Sequence, residues 1–202
     1  MASQVKYLFL GLALFCGEVL SQNPGTLVRI RGNVESFDGK VLNVKARSGQ
    51  SYAVKVPDNL LVIGVNKASV ADITKDKYVG TTTVGERNGA LVALEVHIFL
   101  ENMRGTGEGH RDWDLGPTSK MTNANVANIV KASNDHEMTV QYKGGEKKVL
   151  ITRETAVVAY SVSDKGELKP GAPVFINATR EADGSVSSPR VNVGLKGQVP
   201  PM

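Results

Sequence analysis

The 202-residue sequence contains a single cysteine, Cys16, and it sits in an N-terminal stretch that reads as a leader. The rest of the chain has no thiol, which excludes disulfides, thiolate catalysis and cysteine-ligated metals there. Nor does any apolar run approach the roughly 20 residues that a membrane-spanning helix needs, so a helical channel or permease is excluded. Charge of one sign never accumulates: 24 Lys and Arg are interleaved with 20 Asp and Glu for a net +4. Such a surface is solvating, with no more than a mild preference for anionic partners. Catalytic signatures are missing too. There is no nucleophile elbow, Walker loop or zinc-protease helix, and Gly105-Thr-Gly107-Glu-Gly109 lacks the spacing and the strand–turn–helix setting of a dinucleotide loop. No Asp or Glu pair is set apart as acid and base, so the chain reads as a non-enzyme.

Residues 1–21 have the three-part form of a secretory signal peptide: a polar start with Lys6, an apolar run from Tyr7 to Phe15, and a more polar end at Glu18-Val19-Leu20-Ser21. This predicts cleavage between Ser21 and Gln22 and export of the remainder. Lipidation at Cys16 is the competing reading, but Leu14 and Phe15 precede it where a lipidation signal wants small residues.

What the chain does have is an internal repeat, which fixes architecture before any motif is weighed. Adding 95 to a position carries Asn33 and Val34 to Asn128 and Ile129, Val54 and Val56 to Val149 and Ile151, Ile73 to Leu168, Val79 to Val174, Gly89 to Gly184, and Val96 and Ile98 to Val191 and Val193. Leu42 and Val44 fit Met138 and Val140 better, which needs one extra residue in the second copy's first turn and one fewer in its next. Each copy alternates apolar and polar residues between turn signals such as Asp38-Gly39, Ser48-Gly49, Arg87-Asn88-Gly89 and Gly144-Gly145. A helical turn is expected over Ala68 to Thr74.

The pattern predicts an all-β chain of two tandem six-stranded small barrels, like the oligonucleotide/oligosaccharide-binding (OB) barrel, with a plain six-stranded barrel or sandwich as the alternative. The expected organisation is a signal peptide over 1–21, a first repeat over 24–100, an ordered Gly-rich connector over 101–125, a second repeat over 126–194 and a tail over 195–202. Modules of about 70 residues bury only about 60% of their unfolded surface, so the copies are expected to dock on each other.

The connector holds the only tryptophan, Trp113. Loops this long are usually functional or disordered, and Trp113, Leu115 and Met121 argue that this one lies against a barrel. Trp113 either plugs a barrel end or joins His110, Arg111, Asp112 and Asp114 in a patch that contacts a ligand or partner. Glu95 and His97, two apart on a strand, share a face. With His110 they would make a zinc or copper set, and the alternative is a surface pair in a polar strand row. Their repeat mates are Arg190 and Asn192. The basic hairpin Lys143-Gly-Gly-Glu-Lys-Lys148, with Tyr52 and Tyr142 on strands, is the one feature suited to single-stranded nucleic acid; export argues against that partner. Asn177-Ala-Thr179 matches a glycosylation sequon but falls inside a strand.

The stretches Leu94-Glu-Val-His-Ile-Phe99, Met103-Arg-Gly-Thr-Gly-Glu-Gly-His-Arg-Asp-Trp-Asp-Leu115, Met121-Thr-Asn-Ala124, Tyr142 to Lys148 and Val199-Pro-Pro-Met202 resemble small exported proteins of Gram-negative bacteria that have no established function and are built from tandem OB-like β-barrel domains. The resemblance spans nearly the whole mature chain. It implies a periplasmic location and supplies no catalytic residues. Some of those proteins carry an automatic metal ABC transporter permease label, which the missing membrane span contradicts. The expectation is a non-enzymatic periplasmic or secreted binding or interaction module for an envelope protein or small ligand, without nucleic acid and without a resident cofactor. The alternative is a metal-handling protein using Glu95, His97 and His110, and a third class, a hydrolase of envelope glycan, would need a carboxylate pair in a cleft.

Overall fold

A computed structural model describes residues 25–202; the signal peptide expected over 1–21 lies outside the described residues. Alternating apolar and polar residues give the strands their two faces, and Gly, Asp and Asn end them. The first half runs through β1 (Thr26–Phe37), β2 (Val41–Ala46), β3 (Ser51–Lys55), β4 (Leu61–Lys67), β5 (Tyr78–Arg87) and β6 (Ala90–Ile98). A short β7 (Gly109–Asp112) follows in the connector. The second half runs through β8 (Lys120–Ala132), β9 (Asp135–Tyr142), β10 (Gly145–Ile151), β11 (Ala156–Val162) and β12 (Pro173–Arg180), with its last strand broken into β13 (Val186–Ser187) and β14 (Arg190–Gly194). The helical turn expected before the fifth strand is a single 3₁₀ turn, Val70–Asp72. At the Asp-Gly turn, Gly39 takes φ 97° while the Asp38 carboxylate accepts from the Lys40 and Val41 amides at 2.8 and 2.7 Å.

The chain is all-β and contains closed five-strand barrelling. One circuit of hydrogen-bonded strands runs β1-β2-β3-β13-β12 and returns to β1; another runs β6-β10-β9-β8-β5 and returns to β6. Each circuit takes three strands from one half and its two closing strands from the other. Sequence reading expects each half to curl up by itself over 24–100 and 126–194, and the strand pairing differs from that. The physical reason is that a repeat fixes the order of elements but not which copy closes which ring, because equivalent closing pairs have equivalent apolar rows. Between the circuits, β14-β4-β11-β6 form a continuous bridge, with β4 and β11 antiparallel at its centre and each outer pair parallel.

The apolar rows show the exchange directly. Val34, Leu42, Val44 and Val54 of the first half pack with Val174, Ile176, Val191 and Val193 of the second. Val126, Met138, Val140 and Val149 pack with Val79, Val96 and Ile98 of the first. A third core lies outside both lumens, formed by Ile63, Val65, Val158, Tyr160, Phe175, Met103 and Met202.

Strand register also corrects the repeat alignment near its start. Both long first strands carry a bulge, between Val34 and Ser36 in β1 and between Val126 and Asn128 in β8. Val34 opposes Val44 as Val126 opposes Val140, so Val34 corresponds to Val126, not Ile129. The second copy's first hairpin is four residues longer, not one, and the extra length is the rungs from Val130 to Glu137. Hairpin tips absorb such insertions because their backbone is solvated. The second half's first strand also starts at Lys120, inside the stretch expected to be connector.

Gly32 of β1 lies close against β2: a Cβ there would lie 2.1 Å from the Lys45 carbonyl oxygen. Backbone cannot yield as a flexible side chain can, so Gly32→Ala is expected to cost roughly 1–3 kcal/mol by overpacking. Gly145, where a Cβ would meet only the Tyr142 side chain at 3.3 Å, serves as control. Urea unfolding should separate the two variants; equal midpoints would contradict the close crossing.

Candidate functional site

The bridge presents one face to the third core, and the register places its residues in order along the sheet. Phe175 of β12 pairs with Asn192 of β14, and Asn192 with Ile63 of β4. Val65 of β4 pairs with Tyr160 of β11, and Val158 of β11 with His97 of β6. His97 pairs with Gly80 of β5, and Gly80 with Asn123 of β8. Cross-strand partners point to the same side of a sheet, so Phe175, Asn192, Tyr160, His97 and Asn123 share this face. The face curls on itself around a cavity of about 180 Å³.

Glu95 and His97 are almost fully buried here, at 1% and 2% exposure, and are not the surface pair that strand alternation alone suggests. Alternation correctly places them opposite Val96 and Ile98, but the bridge covers the face that would otherwise meet solvent. The Glu95 carboxylate lies 3.1 Å from His97 Nδ1 and accepts from the Thr82 hydroxyl at 2.9 Å. A buried charge needs such partners. With Nδ1 engaged, His97 offers its other nitrogen, Nε2, over Gly80, where a Cβ would lie 2.1 Å from it and 2.7 Å from Asn123 Oδ1. The imidazole stacks on Tyr160 with centroids 5.2 Å apart and meets Phe99 edge-on at 4.7 Å. Burial, then the charge of Glu95, holds the Tyr160 phenol well above its ordinary pKa; its hydroxyl reaches the Met202 sulfur at 3.2 Å.

The connector closes one side of the cavity. Thr106 anchors it, its carbonyl accepting from the Tyr78 hydroxyl at 3.1 Å and from Asn123 Nδ2 at 3.0 Å. Burial, then Glu108, pushes the Tyr78 phenol up to about 12, so it stays a donor. Trp113 lies under the Arg29 guanidinium, 4.0 Å from ring centroid to Cζ, with Arg111 at 5.8 Å. Asp114 pins the same segment to the first circuit through a two-pronged contact with Arg31, at 2.6 and 3.0 Å, and a longer one with Arg29 at 3.7 Å. The tail seals another side, the main-chain oxygen of Met202 accepting from Arg31 Nε at 2.6 Å.

The predicted patch of His110, Arg111, Asp112, Trp113 and Asp114 is split by the period of a strand, and Asp114 is taken up by Arg31 and Arg29. Arg111 pairs with Met121, which shares the face of Asn123, and Arg111 lines the cavity with Trp113. His110 pairs with Thr122 on the opposite face and bonds to its hydroxyl at 2.8 Å; burial, then Lys147 and Lys120, holds its pKa below the ordinary histidine value. Asp112, largely exposed, pairs with Lys120. His97 and His110 are therefore on opposite faces of one sheet. The structure brings Glu95 and His97 together and leaves His110 out, and among the described residues no group of three His, Cys, Asp or Glu is placed to hold a metal.

Residues that sequence reading passed over complete the cavity: Asn123, Asn177, Arg190, Asn192, Tyr160 and Phe175. A signal existed for two of them. Arg190 and Asn192 are the repeat mates of Glu95 and His97, and the pseudo-symmetric bridge sets the two pairs on its two outer strands, with His97, Arg190 and Asn192 lining one cavity. On residues that line it, three buried polar atoms have no hydrogen-bond partner among the described residues: Asn123 Oδ1, Asn192 Oδ1 and Trp113 Nε1. Arg29 Nε, behind Trp113, is a fourth.

Searches of the chain against protein-family models, curated proteins and solved structures returned no match.

Burial works against ionisation of Asp114, but the bonds from Arg31 and the charges of Arg31 and Arg29 outweigh it, and its carboxyl sits below the ordinary aspartate value. A depressed folded-state pKa contributes stability that is complete above the unfolded value, about 3.9, and is lost as pH falls through the folded one. Asp114→Asn should therefore lower the urea midpoint at neutral pH by roughly 1 kcal/mol or less, since the pair is partly open to water. The gap between variant and parent should close below about pH 4. A gap that persists unchanged to low pH would contradict the role of the charge.

Proposed function

We propose that this chain is a non-enzymatic, exported binding module, periplasmic or secreted, whose ligand seat is the cavity enclosed by the bridge, the connector and the tail. The two circuits are taken as OB-like barrels with exchanged closing strands. In support, each ring runs first-second-third and then fifth-fourth, with the third and fifth strands parallel, as suits a five-stranded Greek-key barrel. Export rests on the leader, and among the described residues no helix is long and apolar enough to cross a membrane.

The observation that carries the reading is that three buried polar atoms without a partner among the described residues, Asn123 Oδ1, Asn192 Oδ1 and Trp113 Nε1, belong to residues that line one cavity. Leaving a buried polar atom unsatisfied costs about 1–3 kcal/mol, and native proteins keep few such atoms. Three of them grouped on residues around one small space single it out as the place where a guest would be seated. A non-enzymatic role is supported by the surroundings of His97. It has a carboxylate behind it, but among the described residues no hydroxyl bonds to its ring to serve as a nucleophile. The metal-handling alternative loses its third ligand with His110, and no observation favours it.

Trp113 is the only tryptophan, so indole fluorescence reports on this cavity alone. Screening a panel of small polar and aromatic fragments should find at least one that shifts Trp113 emission saturably, with the shift abolished in Asn192→Leu. If emission responds to no fragment, or responds equally in the variant, the cavity is not a seat.

A further inference from the structure

The cavity's chemistry narrows what it takes, given that it is a seat as proposed above. Its volume, about 180 Å³, slightly exceeds the roughly 150 Å³ that admits benzene in an apolar protein interior. A single ring with one or two small substituents fills it. The walls suit a flat apolar body, because Phe99, Phe175, Trp113 and the stacked His97–Tyr160 pair all face it.

Its polar groups are of two kinds. Arg111 and Arg190 both line the cavity, and neither forms a salt bridge among the described residues. Asp114 is spent on Arg29 and Arg31, while Glu95 is held by Thr82 and His97. The cations crowd: burial, then the charge of Arg29, depresses the pKa of Arg111. Arg111 holds only the Gly107 carbonyl, at 2.6 Å, and guanidinium groups with no carboxylate partner among the described residues, beside an indole N–H with no acceptor among them, are set for an anion. The second kind is acceptors. Asn123 donates its amide N–H to the Thr106 carbonyl, which leaves its oxygen beside the His97 ring over Gly80, and Asn192 adds another oxygen without a donor among the described residues. A plain carboxylate cannot satisfy these; a hydroxyl or amino group can.

We infer that the cavity binds a single-ring aromatic carboxylate that also carries a hydroxyl or amino donor. The carboxylate meets Arg190, Arg111 and the Trp113 N–H, the ring lies among the aromatic walls, and the donor reaches Asn123 and Asn192. Affinity then depends on both polar ends, since a site built to hydrogen-bond a group discriminates against analogues that lack it.

The test uses the mature full-length chain, with Trp113 fluorescence and calorimetry as readouts. The probes are mandelate and 4-hydroxybenzoate, benzoate lacking the donor, and benzyl alcohol lacking the carboxylate. At least one of the two hydroxy acids should bind tenfold or more tighter than either control. Arg190→Met should remove that advantage over benzyl alcohol, and Asn192→Leu the advantage over benzoate. Arg111→Met, at an exposed position, repeats the charge test should Arg190→Met fail to fold. If benzyl alcohol binds as well as the acids and the arginine variants change nothing, the acid class is overturned while the seat survives. If none of the four perturbs Trp113 but other fragments do so through Asn192, the ligand class alone falls. If nothing does, both inferences fall.

Discussion

The pairing of β4 with β11 is the constraint on which the rest depends. These two strands are equivalent elements of the two halves, and they lie antiparallel at the middle of the bridge. Each is flanked by a parallel strand that belongs at once to the bridge and to the other half's sheet. Once β4 and β11 pair, the strands that follow them are delivered to the opposite side. There β5 and β6 meet β8 to β10, while β12 to β14 meet β1 to β3. A half taken alone would be small enough to be marginal. Sharing closing strands makes the two lumens one cooperative body, so apolar rows from both halves are buried together or not at all.

The same constraint creates the cavity. In an isolated small barrel the outer face of a strand meets water and is free to be polar. Here the outer faces of β6, β14, β5, β8 and β12 are turned toward one another. Side chains selected as if for a surface are thereby buried, as Glu95, His97, Asn123 and Asn192 are, or left half-buried along the cavity, as Asn177 and Arg190 are. Glu95 and His97 satisfy each other, while Asn123 and Asn192 keep free acceptors. The polar lining is thus a by-product of topology that leaves room and hydrogen-bonding capacity for a small guest.

Much of the fold was legible. Alternation located the strands, Asp38-Gly39 and Arg87-Asn88-Gly89 located turns, and the offset of 95 carried lumen residues such as Val79 and Val96 onto Val174 and Val191 of the other circuit. What the sequence hid is which copy closes which ring, because two nearly identical closing pairs give no preference that a one-dimensional pattern can express. The site suffered from that gap. Glu95 and His97 were marked as a pair on one face, yet their burial follows from the bridge and not from local pattern. The run from His110 to Asp114 reads as one patch, although a strand there sends Arg111 and His110 to opposite sides. Arg190 and Asn192 were noticed only as mates that lack the Glu–His chemistry, whereas symmetry sets them facing it.

Exchange of closing strands is tested most directly by covalent trapping. Leu27 of β1 lies opposite Thr179 of β12, near enough for cysteines at such partner positions to bridge; a first half closing on itself would set Leu27 near Val84, the repeat mate of Thr179. In a monomeric chain with Cys16 changed to Ser, the pair Leu27→Cys and Thr179→Cys should oxidise to an intramolecular disulfide identified by peptide mass. The pair Leu27→Cys and Val84→Cys should remain as thiols. A disulfide in the second pair with free thiols in the first would show that each half closes on itself, and would remove the bridge and the cavity with it.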